Sequence, residues 1–410
     1  MLGRGAAVVV LGVGMLLWAP VGMAESELDT CLREQDLVRV TRVLDPDDRV
    51  VFARVVDDVH GHVSKAVEIA PGDRSLREVF ERASEASGEA FPVSDDRVCA
   101  VVDLPEAAID DETRVIVSTG LNYAAHAEEA GGGDVFLFPK PAAPTSAYAR
   151  VAAPGGVMLL DYEVELAYVL LEEIVLDDPL TRDEFLDRTA FFLSNDISDR
   201  EAIVRNASLS GTSTGFPEAK GQPGFFPAGP WMVRGSELFA ALEACGADGL
   251  GLRLAVTSQG RTEMRQSAST SLMIIDPWDL IDYLRSWVDE HGRRSSMPFV
   301  RDAESRFYPL AVDEQRPMLS AGSIVQTGTP EGVAMNAPDG ALGLAMRGLL
   351  RLRSPFQQFI HEERARFEAG DTGYLAPGDE ILAEIDGLGA QNFMIGEAGS
   401  ALGVDPCQPR

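Results

Sequence analysis

Glu163 and Glu165 stand two residues apart inside Asp161-Tyr162-Glu163-Val164-Glu165-Leu166-Ala167-Tyr168-Val169, a run otherwise suited to a buried strand. Side chains of a strand alternate between faces, so the two glutamates share one side while Val164 and Leu166 take the other. Two carboxylates held together out of water repel each other and cost several kcal/mol unless a counter-charge is present, and a bound divalent cation supplies one. Most Glu-x-Glu pairs lie on solvated strand faces, but apolar residues surround this one. Further along, Phe191-Phe192-Leu193-Ser194-Asn195-Asp196 is a second apolar run ending in an acid, which makes Asp196 the third candidate ligand. Three carboxylates without a nearby Cys or His pair describe a hard-cation site, magnesium or manganese before calcium, and not zinc. Three protein ligands leave coordination positions open, as a catalytic metal requires. The elements that must position them are two buried strands, the second reached through a helix that the capping box Thr181-Arg182-Asp183-Glu184 opens before Phe185.

Other motifs follow in order. They are Gly120-Leu121-Asn122-Tyr123-Ala124-Ala125-His126-Ala127-Glu128-Glu129, Phe138-Pro139-Lys140-Pro141, Asn195-Asp196 with Arg200, and Lys220 ahead of Pro227-Ala228-Gly229-Pro230. Gln266 with Thr270, Thr327-Gly328-Thr329-Pro330-Glu331-Gly332-Val333 and Pro377-Gly378-Asp379 complete the set. Together, over most of Val115 to Phe393, they resemble the fumarylacetoacetate hydrolase family. The resemblance implies an α+β, predominantly β fold: a mixed, rolled β-sheet catalytic domain behind a small α+β N-terminal domain. It also implies a homodimer and a small-molecule oxo-acid substrate.

No serine or cysteine sits in an elbow or triad motif, so the expected nucleophile is water. His126 and Glu129 are three residues apart, close enough on one helical turn for the carboxylate to orient the imidazole as a base. By resemblance this segment is a lid that becomes helical over substrate, with Tyr123 as a substrate contact, and Gly131-Gly132-Gly133 supplies pliant backbone behind it. Lys220 is expected to meet the developing oxyanion or the substrate carboxylate, supported by Arg200, and Thr329 to donate a hydroxyl or backbone N–H to that carboxylate. The expected reaction is metal-dependent hydrolysis of a carbon–carbon bond in an acylpyruvate or related diketo acid. Two alternatives use the same metal: decarboxylation of oxaloacetate, and isomerisation of a hydroxy-diene-dioate. An exported carboxylate-binding protein without turnover is a third.

Two departures from the family pattern bear on substrate contacts. Gly221-Gln222-Pro223 stands where Ser-Phe-Asp is common, and Ala202 or Ile203 where a glutamine is common. Two stretches read as insertions: Arg293 to Gln315, polar enough for a surface loop, and Leu342 to Phe367, one or two helices that pack against the domain.

With 65 acids against 35 bases the formal charge is -30, which repels nucleic acid and anionic membranes. Arg4, the apolar stretch Ala6 to Trp18, and Gly22-Met23-Ala24 have the layout of a secretory signal cleaved after Ala24, so residues 1–24 are expected to be removed on export to the periplasm or beyond. Residues 25–108 then form the small domain and 109–405 the catalytic one. In the first, Leu37 to Val43, Val50 to Val56 and Val63 to Ile69 read as strands, and Ser75-Leu76-Arg77-Glu78 as a capping box. No segment of the mature chain reads as a membrane span. An oxidising compartment favours disulfides among Cys31, Cys99, Cys245 and Cys407; of the three pairings, Cys31 with Cys99 and Cys245 with Cys407 is the one expected.

Overall fold

Strand Val164–Leu170 is buried along its whole length, and its alternation feeds two separate cores. Val164, Leu166, Tyr168 and Leu170 join an apolar cluster with Leu252, Leu254, Ile381 and Phe393. Ala167 and Val169 join another with Val40, Phe192 and Met232. Glu165 has the parity of the second group and therefore leaves the strand on the opposite side from Val164 and Leu166. The structure is a computed structural model that describes residues 26–69, 75–152, 155, 159–206, 215–295, 298–301, 303–313, 315–337, 341–351, 353–397 and 406–407. The leader expected at residues 1–24 lies outside them.

This strand sits near the middle of an 11-stranded sheet. Antiparallel to it run Thr189–Asn195 on one side, with Val164 opposite Asn195, and Ile324–Gln326 on the other. Beyond Ile324–Gln326 lie Ile116–Gly120 and Phe136–Pro139. A five-stranded sheet, from Arg261–Ser269 through Gly251–Ser258, Glu380–Ile385 and Gly389–Gly396 to Arg150–Ala152, lies against it. The architecture is α+β and rich in strands, as expected.

Strands Arg39–Leu44, Val50–Val59 and His62–Glu68 form where β-branched runs placed them, and helix Leu76–Ala83 carries the reciprocal Ser75–Glu78 cap. They do not make a sheet of their own: Arg39 pairs with Val233 and Val40 with Met232, so these strands extend the large sheet. Two cross-links join the same parts. Helix Glu27–Glu34 docks on the turn at Asp386 and Gly387, where Ser26 Oγ donates to Asp386 and Gly387 N–H donates to Asp29. That docking brings Cys31 to Cys245, with Cα atoms 6.0 Å apart, while Cys99 meets Cys407 at 5.6 Å. The expected pairing of Cys31 with Cys99 and Cys245 with Cys407 is therefore corrected. Spacing along the chain carries no information about which distant segments touch.

Helix Leu280–His291 follows a turn over residues 276–279 that Asp279 N–H closes on the Asp276 carbonyl. The segment read as a polar surface loop contains a hairpin, Phe299–Arg301 with Glu304–Arg306. It is anchored by buried Phe299 and Tyr308 and by Arg301, which pairs with Asp110 at 3.0 Å. The second insertion forms helices Ala341–Leu350 and Pro355–Glu368. The latter packs on helix Arg200–Asn206 through Phe359 and Val204, and Arg364 pairs with Glu201. Among the described residues no helix is long and apolar enough to cross a membrane.

Candidate metal centre

The register of Val164 against Asn195 sets the residues just before one strand opposite those just after the other. Asp196 N–H donates to the Glu163 carbonyl at 2.9 Å, and Glu163 N–H to Asn195 Oδ1 at 3.2 Å. These bonds draw Glu163, Glu165 and Asp196 together, with one carboxylate oxygen from each lying within 4.8 Å of the others, all three buried.

Three cations surround the acids. Lys220, at the end of helix Phe216–Lys220, places Nζ 2.7 Å from both Glu163 Oε2 and Asp196 Oδ2 and 2.8 Å from Ser198 Oγ. Lys140 Nζ donates to Asp196 Oδ1 at 2.5 Å and to the Lys220 carbonyl at 2.8 Å. Arg200 bridges Asp161, at 2.7 Å, and Glu163, at 2.6 Å. Asp161 in turn accepts from the N–H groups of Ala334 and Met335. The buried acids Asp161, Glu163, Glu165 and Asp196 thus outnumber the cations Lys140, Lys220 and Arg200 by one.

Glu165 carries the surplus. Burial, then the negative charges of Asp196 and Glu163, push its carboxyl well above the ordinary range. Glu163 is likewise buried, but Lys220 and Arg200 outweigh the desolvation and hold its carboxyl below that range. For Lys220, Asp196 and Glu163 overcome burial and raise the ammonium, whereas burial dominates at Lys140 and lowers it. An all-oxygen donor set, convergence of three carboxylates and a surplus of negative charge are the conditions a hard divalent cation satisfies. The residues present fit such an ion.

The His126–Glu129 pair lies on helix Ala124–Glu129, with Nδ1 3.2 Å from Glu129 Oε2. Glu129 is fixed from a second side, where Gly332 N–H donates to its carboxylate at 3.1 Å and Ala337 N–H to its carbonyl at 2.9 Å. Tyr123, just before this helix, is buried, and its hydroxyl has no hydrogen-bond partner among the described residues. Desolvation first, and then Glu165, keep that hydroxyl protonated far above its ordinary pKa. Thr329 is committed otherwise: its hydroxyl donates to the Val164 carbonyl at 3.0 Å and accepts from Gln266 Nε2 at 2.8 Å.

Lys140, Asp161 and Gln266 were not singled out for function from sequence. The first lay in a recognised motif, Phe138-Pro139-Lys140-Pro141, and Gln266 in another, so a signal existed; only contact geometry shows what they touch. Asp161 opens the acidic run itself.

Residues 115–395 match the family described as fumarylacetoacetate (FAA) hydrolase, C-terminal. The chain is 26% identical over 253 residues to a mitochondrial oxaloacetate tautomerase of Oryza sativa subsp. japonica, covering 59% of this chain and 89% of that protein. It is 30% identical over 184 residues to the 2,4-didehydro-3-deoxy-L-rhamnonate hydrolase of a Sphingomonas strain, covering 42% and 56%. Its fold matches the fumarylacetoacetate hydrolase of Exiguobacterium antarcticum with a TM-score of 0.55 at 22% identity, over 88% of this chain and 99% of that one. On the extent of the family match and the agreement in fold, the chain belongs to the fumarylacetoacetate hydrolase family.

Proposed function

We propose that this protein hydrolyses a carbon–carbon bond in an acylpyruvate-type diketo acid, with magnesium, or manganese in its place, held by Glu163, Glu165 and Asp196. The observation that carries the reading is the formed His126–Glu129 pair, an imidazole oriented by a carboxylate beside the acidic cluster. Bound at those acids, a divalent cation supplies Lewis-acid stabilisation of developing negative charge. With Nδ1–H held by Glu129, the other imidazole nitrogen takes a proton from water, and the hydroxide adds to the distal carbonyl. The bond between that carbon and its neighbour then breaks, and the electron pair passes to the pyruvate fragment as an enolate that regains a proton at carbon. Lys220, already bound to two acids, supplies positive charge for the oxyanion, with Arg200 behind it. Tyr123 offers an uncommitted hydroxyl, and Thr329 serves through its backbone N–H because its hydroxyl is engaged.

A second reading, proton transfer or decarboxylation on oxaloacetate, is favoured by the tautomerase relative. Incubation of the magnesium-loaded protein with acetylpyruvate, fumarylpyruvate and oxaloacetate, followed by product identification, separates the two. Pyruvate plus a carboxylic acid from an acylpyruvate is the expected result; turnover of oxaloacetate alone would replace hydrolysis by the second reading. Export fits the same picture: the leader pattern at residues 1–24 and two cross-links suit an oxidising compartment. An N-terminal sequence of the secreted protein beginning at Glu25 would support it.

A further inference from the structure

We propose that Phe216, backed by Phe136 and Phe138, forms the subsite for the part of the substrate beyond its reacting carbonyls. This subsite takes an uncharged, apolar or aromatic acyl group in preference to a second carboxylate. The proposal rests on the diketo-acid reading above and narrows its substrate class.

One of the three rings, Phe138, adjoins Lys220 at the acidic cluster, and the other two pack on Phe138 and on each other. Lys220 Nζ, which touches Glu163 and Asp196, stands 5.5 Å from the centroid of the Phe138 ring. Phe216 stacks on Phe138 at 4.7 Å with 26° between planes, and Phe136 lies 5.0 Å from Phe216. Phe136 and Phe138 share a face of strand Phe136–Pro139 by the two-residue period of a strand. Phe216 and Lys220 are four residues apart on one short helix, so ring and ammonium lie on the same side of it. Phe136 and Phe138 are buried whereas Phe216 is partly exposed, which makes Phe216 the open side of the wall. On the far side, a Cβ at Gly120 would fall 2.3 Å from the Phe136 ring, so glycine lets that ring approach the segment leading to Tyr123 and His126.

Charge gives the direction of the preference. Each of the cations that touch the acids already holds one or more of them: Lys140 holds Asp196, Lys220 holds Glu163 and Asp196, and Arg200 holds Asp161 and Glu163. Among the described residues, a distal carboxylate on the substrate would lose water against three aromatic rings while the cations at the acids, and Arg205 on Glu218 of the Phe216–Lys220 helix, are already paired. An apolar or aromatic acyl group gains from the same burial.

Calorimetric titration of the magnesium-loaded protein with 2-oxobutanoate, 2-oxo-4-phenylbutanoate and 2-oxoglutarate tests this without turnover. The phenyl compound is expected to bind at least about tenfold tighter than 2-oxobutanoate, and 2-oxoglutarate no tighter than 2-oxobutanoate. Phe216→Ala should remove the phenyl advantage and leave 2-oxobutanoate binding unchanged, Phe216→Leu should keep most of it, and Phe216→Arg should shift preference toward 2-oxoglutarate. Equal binding of all three compounds, a preference for 2-oxoglutarate in the unaltered protein, or an undiminished phenyl advantage in Phe216→Ala would overturn the subsite alone. Binding of none of them would remove the oxo-acid reading and the subsite with it.

Discussion

Lys140 and Asp196 meet at 2.5 Å with neither side chain more than 1% exposed, and Lys140 belongs to the segment after one strand while Asp196 follows another. Breaking a buried ion pair from one side costs about 3–5 kcal/mol where the other charge is left alone, and less here because Lys220 also holds Asp196. Lys140→Met, which keeps the length of the stem and removes the charge, should lower the unfolding free energy of the metal-free protein by less than that amount in urea titrations. An unchanged midpoint would show that the pair contributes nothing to stability.

The roles proposed for His126 and Glu165 separate experimentally. His126→Ala should reduce turnover by about 10²–10⁴-fold while metal affinity stays as it was. Glu165→Gln should weaken metal binding itself, read by titration calorimetry with Mg²⁺ or Mn²⁺. Equal loss of metal from both variants would contradict this division.

The cross-links close loops of 214 and 308 residues. Peptide mapping under non-reducing conditions should recover Cys31 joined to Cys245 and Cys99 joined to Cys407. Removing one bridge by Cys31→Ala with Cys245→Ala should cost about 2–5 kcal/mol, seen as a lower melting temperature that reductant then changes less. Recovery of a Cys31–Cys99 peptide would refute the arrangement.

Asp58 lies between Arg33, at 2.7 Å, and Arg39, at 2.6 Å. Burial raises its carboxyl, but the two guanidinium groups outweigh that and hold it below the ordinary value. A carboxylate depressed in the folded state contributes stability above its unfolded pKa, about 3.9, and loses it as pH falls through the lower folded value. Asp58→Asn should therefore melt lower than the unaltered protein at neutral pH, and the gap should close as pH drops below about 4. A gap that stays constant with pH would show that the ion pairs do not account for the difference.

Local rules made part of this molecule legible before any fold was known. The acids of the Asp161–Val169 run stood out because strand alternation acts between immediate neighbours, and Ser75–Glu78 and Thr181–Glu184 announced helix starts because a capping box closes within four residues. His126 and Glu129 were readable for the same reason, one helical turn apart. Motif order along the chain pointed to the family and to its strand-rich architecture.

Contacts between distant segments were decided only by the tertiary structure. Lys140 reaches Asp196 across 56 residues, and Val164 N–H reaches Gln266 across 102. The N-terminal strands join the catalytic sheet through Val40 and Met232, and the cysteines pair as helix docking dictates. Thr329 was drawn toward substrate by its motif, yet the fold commits its hydroxyl to Val164 and Gln266. In each case the partner is chosen by how whole sheets and helices bury their apolar faces, a collective free energy that no short stretch of residues contains.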